Sequence, residues 1–315
     1  MRMEVSQRLA SMPIAGGPGT EVQIRENIWL SLKPERPQLY RQLLDSLHVA
    51  FDFFTFVCMN LCSAEDIQLE ANFCSRTLTS GTIIYPMAYF HYMPVYSPKK
   101  QRTPHPMDVL LKRSDLSDHL EPVLARWFET STQLRSVRVL YLSALYGDHP
   151  YVENKFLAMC QAAEVFHRRF HRGEYMDTNR YENEVLPLLI AGIPANLPAD
   201  LVEVMQQRFA YLNELSLAKR LKDLVAENKE IILKFVPEIK DVLRGIVTAR
   251  NQFTHFSDKN KRSDLSGETI LYYVDVLRMI VELSVLREVG VPSEILKKSA
   301  VANERYRRAF RLKRA

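Results

Sequence analysis

The sequence predicts a mainly α-helical protein, with a C-terminal helical bundle preceded by a small α+β remnant of two or three strands. Beyond residue 106, apolar residues recur at helical spacing in one segment after another, and strictly alternating patterns are few. Glycine, which weakens helices, occurs only ten times in 315 residues. The proline-punctuated segment Ser97–Pro106 is typical of a linker. We therefore expect a partial N-terminal α+β region at residues 1–105 and a helical domain at residues 106–315.

The N-terminal region has few periodic segments. Seven Pro and Gly residues within positions 1 to about 37 predict a poorly ordered start, followed by a short strand from about Val22 to Leu32. Pro86 and Pro94 would confine the last predicted strand to a sheet edge. The other elements predicted here are a long helix at 38–61, apolar nearly all round by its end and therefore buried, and strands at 67–74 and 82–96.

The helical domain is predicted to be one helix after another. No period of roughly 30–45 residues repeats, which argues against a helical solenoid. The segment after residue 254 is expected to be a further amphipathic helix followed by a basic tail. The predicted helices are Ser117–Ser131, Leu134–Tyr146, Tyr151–His171, Leu201–Leu212, Ser216–Asn228, Pro237–Thr254, Thr269–Val289 and Ser293 to about Arg308.

Positive charge is concentrated at the C-terminal end. Residues 297–315 carry a net +7, so the preceding 296 residues contribute −2 to the chain's +5. Such a tail suits an anionic partner such as RNA, although solvated basic tails are common without any partner. No apolar stretch reaches the ~18 residues of a membrane span, and no charged-then-apolar signal begins the chain. We therefore expect a soluble, cytoplasmic protein without a membrane partner.

Several kinds of site have no support in the sequence. No GxxxxGK[ST], GxGxxG or GxSxG motif occurs, which argues against nucleotide hydrolysis and serine-hydrolase chemistry. Cys58 and Cys62 lie on an apolar helix and are predicted to be buried small residues rather than metal ligands or a disulfide. His167 and His171 have a spacing that can bind zinc, but no third ligand accompanies them and the arginines around them disfavour a cation. No metal and no cofactor is predicted.

Arg168, Arg169 and Arg172 form a basic cluster at the end of the same predicted helix. We interpret them as a solvated basic face that could follow a nucleic-acid backbone. Glu164, one turn before His167, lies in an apolar helix and is predicted to pair with a basic group, with Arg250 as one candidate.

A candidate catalytic motif closes the predicted helix 237–254, where the sequence reads Arg250-Asn251-Gln252-Phe253-Thr254-His255. Arginine stays charged and histidine titrates near neutral pH, so the pair suits chemistry on a phosphodiester. On a regular helix the two residues are about 140° apart. They converge only if the helix ends at His255, if the arginine wraps around, or if a second copy faces the first. Asn251 shares a face with His255 and could hydrogen-bond to it.

The Arg…His spacing alone is a weak signal, because similar spacings occur at Arg41/His48 and Arg113/His119. The third pair differs in its context, with Asn251 directly after the arginine, an apolar helix before it and another helix after it. The alternative interpretation is that His255 interacts with the helix C-terminal dipole while Arg250 is a solvated surface charge.

Four short blocks, taken in their order and separation, resemble the ApeA-like branch of the HEPN superfamily. The similarity covers roughly residues 38–290 and makes the helical domain a HEPN-type bundle. In that family a β-rich N-terminal domain comes first, and here we expect it to be nearly missing. The blocks are Ala125-Arg126-Trp127-Phe128, Asn154-Lys155-Phe156-Leu157, Ala163-Glu164-Val165-Phe166-His167-Arg168 and the motif from Arg250 to His255.

The resemblance implies a metal-independent endoribonuclease of anti-phage defence that works as a homodimer, with two Arg…His motifs lining one cleft. His255 would act as general base or acid, Arg250 would hold the scissile phosphate, and Asn251 would orient His255 or donate to a phosphate oxygen. The products would be 2′,3′-cyclic phosphate and 5′-hydroxyl ends. Two alternatives stay open, namely a HEPN module that binds RNA or protein without cutting, and a helical protein that serves assembly only.

Overall fold

The computed structural model describes residues 2–13, 22–62, 67–71, 74–90, 105–147, 151–254 and 265–311. These residues are mainly helical and the strands are confined to the N-terminal part, which confirms the predicted fold class. The chain divides into two compact units, residues 1–53 and residues 54–315. None of the described helices combines the length and apolar character needed to cross a membrane.

The first unit contains a β-hairpin. Strand β1 (Arg2–Pro13) pairs antiparallel with β2 (Val22–Lys33), from Arg2 opposite Lys33 to Pro13 opposite Val22. Strand β2 confirms the predicted strand, but the prediction of a poorly ordered start is wrong for residues 2–13; residues 14–21 lie outside the described part. The backbone groups of β1 find partners along the whole of β2, and a count of Pro and Gly cannot reveal such pairing. Helix α1 (Tyr40–Cys58) begins in this unit.

The second unit begins with short strands. β3 (Ile67–Glu70) pairs antiparallel with β6 (Met87–Phe90), and β4 (Arg76–Thr77) pairs with β5 (Ile83–Ile84). The expectation of two or three strands is therefore too low, since the described residues form six. The strand predicted at 82–96 is split around Pro86, which has no amide hydrogen to continue a ladder; its part beyond residue 90 lies outside the described residues.

Thirteen helices follow in the described residues of the second unit. Most predicted helices are confirmed within a few residues, but the predicted last helix is divided at Asn303, and the helices at 113–116, 178–191 and 229–235 were not predicted. The thirteen helices are α2 (Arg113–Leu116), α3 (Leu120–Glu129), α4 (Ser131–Tyr146), α5 (Val152–Phe170), α6 (Thr178–Arg180), α7 (Leu186–Ala191), α8 (Ala199–Ala210), α9 (Leu217–Glu227), α10 (Lys229–Phe235), α11 (Ile239–Thr254), α12 (Gly267–Glu288), α13 (Ser293–Ala302) and α14 (Glu304–Arg311).

Helix α12 is the central helix of the bundle. Every residue from 276 to 286 is buried, and the helix packs against α5, α9, α13 and α14. The sequence was expected to form an amphipathic helix here, and this is wrong because neighbouring helices surround α12 on all sides. A helix that is buried all round belongs at the centre of a bundle.

A buried carboxylate on α12 ties three helices together. Glu282 is fully buried; one of its oxygens accepts hydrogen bonds from Arg278 Nε at 2.7 Å and from the Tyr141 hydroxyl of α4, and the other accepts from the Tyr306 hydroxyl of α14 at 2.6 Å. Burial and the Glu282 carboxylate raise the pKa of both tyrosines well above the ordinary value. Burial disfavours the charged form of Arg278, but Glu282 together with Tyr141 and Tyr146 more than offsets burial, so the pKa of Arg278 is raised. The cluster is thus a neutral, hydrogen-bonded unit of one cation, one anion and two phenols.

Helix α14 is part of the bundle core, although its sequence was expected to begin a basic tail. Tyr306 and Phe310 are buried and pack against Phe235 of α10. On the outer side of this helix, Arg308 pairs with Asp108 at 2.6 Å and Arg307 with Glu304 at 3.0 Å. Within residues 304–310 this segment therefore serves packing and ion pairing within the unit.

Residues 174–214 form a helical arm that contains α6, α7 and α8. Its two ends meet in a neck, where Tyr175 N donates to Asn213 O at 2.9 Å and Leu215 N donates to Gly173 O at 2.8 Å. Within the arm, residues 182–212 include no buried side chain, and Leu188, 73% exposed, is one of several apolar residues that face solvent. The arm is thus held to the bundle mainly through its neck.

The neck is anchored by buried Arg220. Its Nε donates to Leu215 O at 2.9 Å and its Nη2 donates to Gly173 O at 3.3 Å. The remaining Nη1 lies 3.3 Å from Nδ1 of His167, which is itself only 1% exposed. Because a guanidinium can only donate, Nδ1 of His167 must accept, and Nε2 then carries the proton toward Asp223 at 3.3 Å. The contacts of Arg220 therefore require neutral His167.

We expect Glu282→Gln to lower the free energy of unfolding by about 3–5 kcal/mol, because the change leaves the buried Arg278 cation without its counter-ion. Urea unfolding followed by circular dichroism measures this loss. Glu288→Gln on the same helix is the matched control, since the Glu288–Arg126 pair at 2.9 Å is partly exposed and should contribute far less. Equal losses for the two variants would contradict the assigned role of Glu282.

We expect the stability of this protein to fall as the pH drops below about 6.5, the ordinary histidine pKa. Burial is the main cause that lowers the pKa of His167 in the folded state, with the nearby His171 adding to it. The unfolded chain therefore takes up this proton first, and stability is lost until the pH has passed the folded-state pKa. Tm measured from about pH 7.5 to about pH 5 should show the loss.

The His167→Gln variant tests the cause. Glutamine can accept from Arg220 and donate to Asp223 without titrating, so the loss of Tm on acidification should be smaller than in wild type. His119→Gln, at an exposed position, should keep the wild-type profile. An unchanged profile in His167→Gln would assign the loss to other groups.

Candidate active site

Helix α11 carries the arginine and asparagine of the candidate motif. Leu243, Ile246 and Ala249 are buried at helical spacing and form the face of α11 that packs against α5 and α9. Arg250 follows directly after the last buried position and is half-buried, and Asn251 is exposed. The apolar periodicity of the sequence therefore places both polar side chains at the edge of the bundle.

Aromatic contacts hold the end of α11. Phe253, between Asn251 and His255 in the motif, packs edge-on against Phe156 of α5 with ring centroids 5.8 Å apart. Tyr273 of α12 contacts the same Phe156 ring at 6.2 Å. Gly245 permits this approach of α12, since a Cβ at that position would lie 2.8 Å from Cζ of Tyr273. The last described turn of α11 is thus packed against α5, and α12 approaches α11 at Gly245.

Arg250 has no carboxylate partner within the described part of the chain. Its Nη1 lies 3.3 Å from Oδ1 of Asn251, its neighbour in sequence. The guanidinium lies near Cys160 of α5, where burial raises the pKa of the thiol to about 12 and the charge of Arg250 opposes this rise. Most of the donors of Arg250 are therefore available for a ligand, which is the state expected of a phosphate-binding arginine.

Glu164 pairs with Arg168 rather than with Arg250. The two residues are one helical turn apart, and Arg168 Nη2 lies 3.2 Å from Glu164 Oε1. Arg168 also pairs with Glu214, the last residue of the arm, at 2.7 Å. The spacing of Glu164 and Arg168 by four could have been found in the sequence. The pairing with Glu214 could not, because 46 residues separate it from Arg168 and only the folded neck brings the two together.

His255 lies outside the described residues, so its position relative to Arg250 and Asn251 stays a prediction. The structure brings Arg250 and Asn251 side by side, and α11 is helical up to Thr254. The Thr254 hydroxyl donates to Arg250 O at 2.9 Å, as in a regular helical turn. The described part of α11 is therefore regular up to Thr254, the residue that precedes His255 in the sequence.

The three predicted RNA-binding arginines differ in their surroundings. Arg168 is tied into the two ion pairs above, whereas Arg169 and Arg172 are exposed and form no ion pair with any described residue. The structure therefore separates a paired arginine that supports the neck from two arginines that are available to an anionic partner.

His167 and His171 are not arranged as zinc ligands. Their rings stack with centroids 4.9 Å apart. Both ring nitrogens of His167 are occupied by Arg220 and Asp223, and Nδ1 of His171 lies 3.3 Å from Glu227. No group of three or more His, Cys, Asp and Glu residues suited to a metal is found among the described residues. These histidines support the fold of the bundle and neck.

Two family models match the chain. Residues 157–295, which include Glu164, Arg168 and the motif from Arg250 to His255, match the model described as Apea-like HEPN. Residues 3–127 match the model described as ApeA N-terminal domain 1. The front of the chain therefore carries sequence of that domain, and the expectation that the domain is shortened here stays a prediction. Neither the curated proteins nor the solved structures that were searched gave a match.

The two matches lie in the order that the sequence blocks predicted, an N-terminal domain followed by a HEPN domain, and together they span most of the chain. At the level of the family they imply a HEPN nuclease of anti-phage defence that acts on RNA. The chain therefore belongs to the ApeA-like HEPN family.

Proposed function

We propose that this protein is a metal-independent endoribonuclease of anti-phage defence. It cleaves RNA by attack of a ribose 2′-hydroxyl on the adjacent phosphate, which leaves 2′,3′-cyclic phosphate and 5′-hydroxyl ends. The observation that carries the proposal is Arg250, a half-buried cation at a helix end whose only described polar side-chain contact is Asn251. The family match over residues 157–295 supports it.

The proposed roles follow from the chemistry of each residue. Arg250 donates to two oxygens of the scissile phosphate and stabilises the charge that develops on them. His255 removes the proton of the 2′-hydroxyl or protonates the leaving 5′-oxygen, since an ordinary histidine pKa suits either step. Asn251 either orients His255 or donates to a phosphate oxygen. Because the nucleophile is part of the substrate, no metal-activated water is required.

A homodimer completes the proposed site. Arg250 and His255 would be about 140° apart on a continued helix, and a second copy related by a two-fold axis would bring the arginine of one motif toward the histidine of the other. The division into residues 1–105 and 106–315 and the cytoplasmic location are part of the same proposal. The N-terminal region would then precede a nuclease domain that meets RNA inside the cell.

Cleavage of labelled total RNA in EDTA tests the proposal. We expect wild type to produce fragments with cyclic phosphate ends, and Arg250→Ala and His255→Ala each to cut at least about 100-fold more slowly, because each loses one element of transition-state stabilisation. Circular dichroism should show that both variants are folded, since Arg250 has no carboxylate partner among the described residues.

Arg244→Ala is the matched control. Arg244 lies on the same helix, is 79% exposed and pairs only with Asp241 among the described residues, so its loss should not change cleavage. If His255→Ala cut as fast as wild type, the catalytic assignment would be excluded. If wild type bound RNA without cutting it, the non-catalytic HEPN module would be favoured.

We also expect the double variant Arg169→Ala/Arg172→Ala to bind RNA more weakly, because both arginines are exposed and carry charge that no described carboxylate neutralises. The slope of log K against log salt concentration should fall by about 0.7 for each lost phosphate contact. Electrophoretic mobility shifts at several salt concentrations measure the slope. Arg180→Ala, in the exposed pair with Glu184, is the control, and an equal effect there would assign the change to net charge alone.

A further inference from the structure

A pair of cysteines lies where α1 ends. Helix α1 ends at Cys58, and Met59 turns the chain with a φ of 52°. The chain then folds back, so that the amide of Cys62 donates to the Thr55 hydroxyl at 3.0 Å. Both cysteines are half-buried and free, not fully buried as the sequence predicted. After the fold-back the Cys62 thiol lies 3.5 Å from the Asn60 carbonyl oxygen, to which it can donate, and it lies close enough to the Cys58 thiol for the two to share a proton.

The turn that presents the two thiols is held in place on both sides. The carbonyl of Val57 accepts hydrogen bonds from the amides of Leu110 and Leu111 at 2.8 and 3.3 Å. The carbonyl of Met59 accepts a hydrogen bond from Arg305 of α14. The backbone on either side of Cys58 is therefore fixed by contacts that do not involve the thiols. Because the turn is fixed, bringing the two thiols together costs less conformational entropy than it would in a flexible loop.

The two thiols differ in acidity. The hydrogen bond from Cys58 is the main cause that lowers the pKa of Cys62; burial opposes it and the Thr55 hydroxyl adds to it. The same shared proton, together with burial, raises the pKa of Cys58. Cys160 differs from both, since it is only 2% exposed and burial raises its pKa. The thiolate is the nucleophilic form, so Cys62 is the member of the pair suited to react first.

We propose that Cys58 and Cys62 are a modification site, at which a peroxide converts the two thiols into a reversible disulfide. The Cys62 thiolate attacks one peroxide oxygen, the O–O bond breaks, and the released hydroxide leaves as water after taking up a proton. Cys62 is then a sulfenic acid. Cys58 next attacks the sulfur of Cys62, an S–S bond forms, and the S–O bond breaks. The second hydroxide leaves as water with the proton of Cys58, so two thiols are oxidised and one peroxide is reduced to two waters.

The disulfide would join the last residue of α1 to the turn that follows it. Its formation needs no second cysteine from another part of the chain and no partner molecule. A thiol reductant such as dithiothreitol returns the pair to the reduced state by thiol–disulfide exchange. This site does not depend on the proposed ribonuclease activity, and the two can be tested separately.

Treatment of the reduced full-length protein with hydrogen peroxide tests the inference. We expect the loss of two of the four thiols, together with a Cys58–Cys62 cross-link in peptide maps that dithiothreitol removes. In Cys58→Ser no second thiol is available, so oxidation should stop at the sulfenic acid of Cys62, which dimedone labels. In Cys62→Ser the oxidation at this site should be lost.

Cys74→Ser is the matched control, because Cys74 is also half-buried and its removal leaves the pair intact. This variant should oxidise as wild type does, and circular dichroism should show that all the variants are folded. A disulfide that involves Cys74 or Cys160 would overturn the inference. So would dimedone labelling of Cys62 no faster than that of Cys74 in Cys58→Ser.

Discussion

The bundle depends on one requirement: a carboxylate removed from water needs hydrogen-bond donors for both of its oxygens and a cation for its charge. Glu282 lies in the middle of α12, on a stretch that is buried on every side. Its two oxygens are shared among Arg278, Tyr141 and Tyr306, which belong to α12, α4 and α14. An unpaired carboxylate there would cost several kcal/mol, so an arrangement of these helices that removed both phenols from Glu282 would be disfavoured. Apolar contacts alone would hold the helices together but would specify their register less strictly.

The position of the candidate active site follows from this packing. Helix α12 is fixed at the centre, and through Tyr273 it contacts the Phe156 ring that also meets Phe253 at the end of α11. Arg250 and Asn251 therefore lie on a part of the bundle whose packing is fixed by these aromatic contacts. The arginine is left without a carboxylate partner among the described residues, and that is an unusual state for a half-buried cation. A protein would keep such a cation where an anionic ligand completes it, and RNA supplies that ligand in the proposed function.

Much of the fold could be predicted because the buried face of a helix appears in the sequence as apolar residues that recur with a period of 3.6 residues. Helices α5 and α11 were predicted to within two residues at each end on this basis alone. The N-terminal part was not, since β1 takes its backbone partners from β2 and counts of Pro and Gly give no information about pairing. For helix α12 the length was predicted but its burial on all sides was not, because the helices that cover the face expected to be exposed are distant in sequence.

At the candidate site, the residue types and their order, Arg250, Asn251 and His255 in a motif that closes an amphipathic segment, could be read from the sequence, as could the family that this order resembles. Which of the charged side chains are paired and which are available for a ligand depends on the folded chain. Folding paired Glu164 with Arg168, brought Glu214 to the same arginine, and left Arg250 beside Cys160 without a described counter-ion. The physical reason is range: helix formation depends on neighbours three or four residues apart, whereas ion pairing and burial depend on residues that only folding brings together.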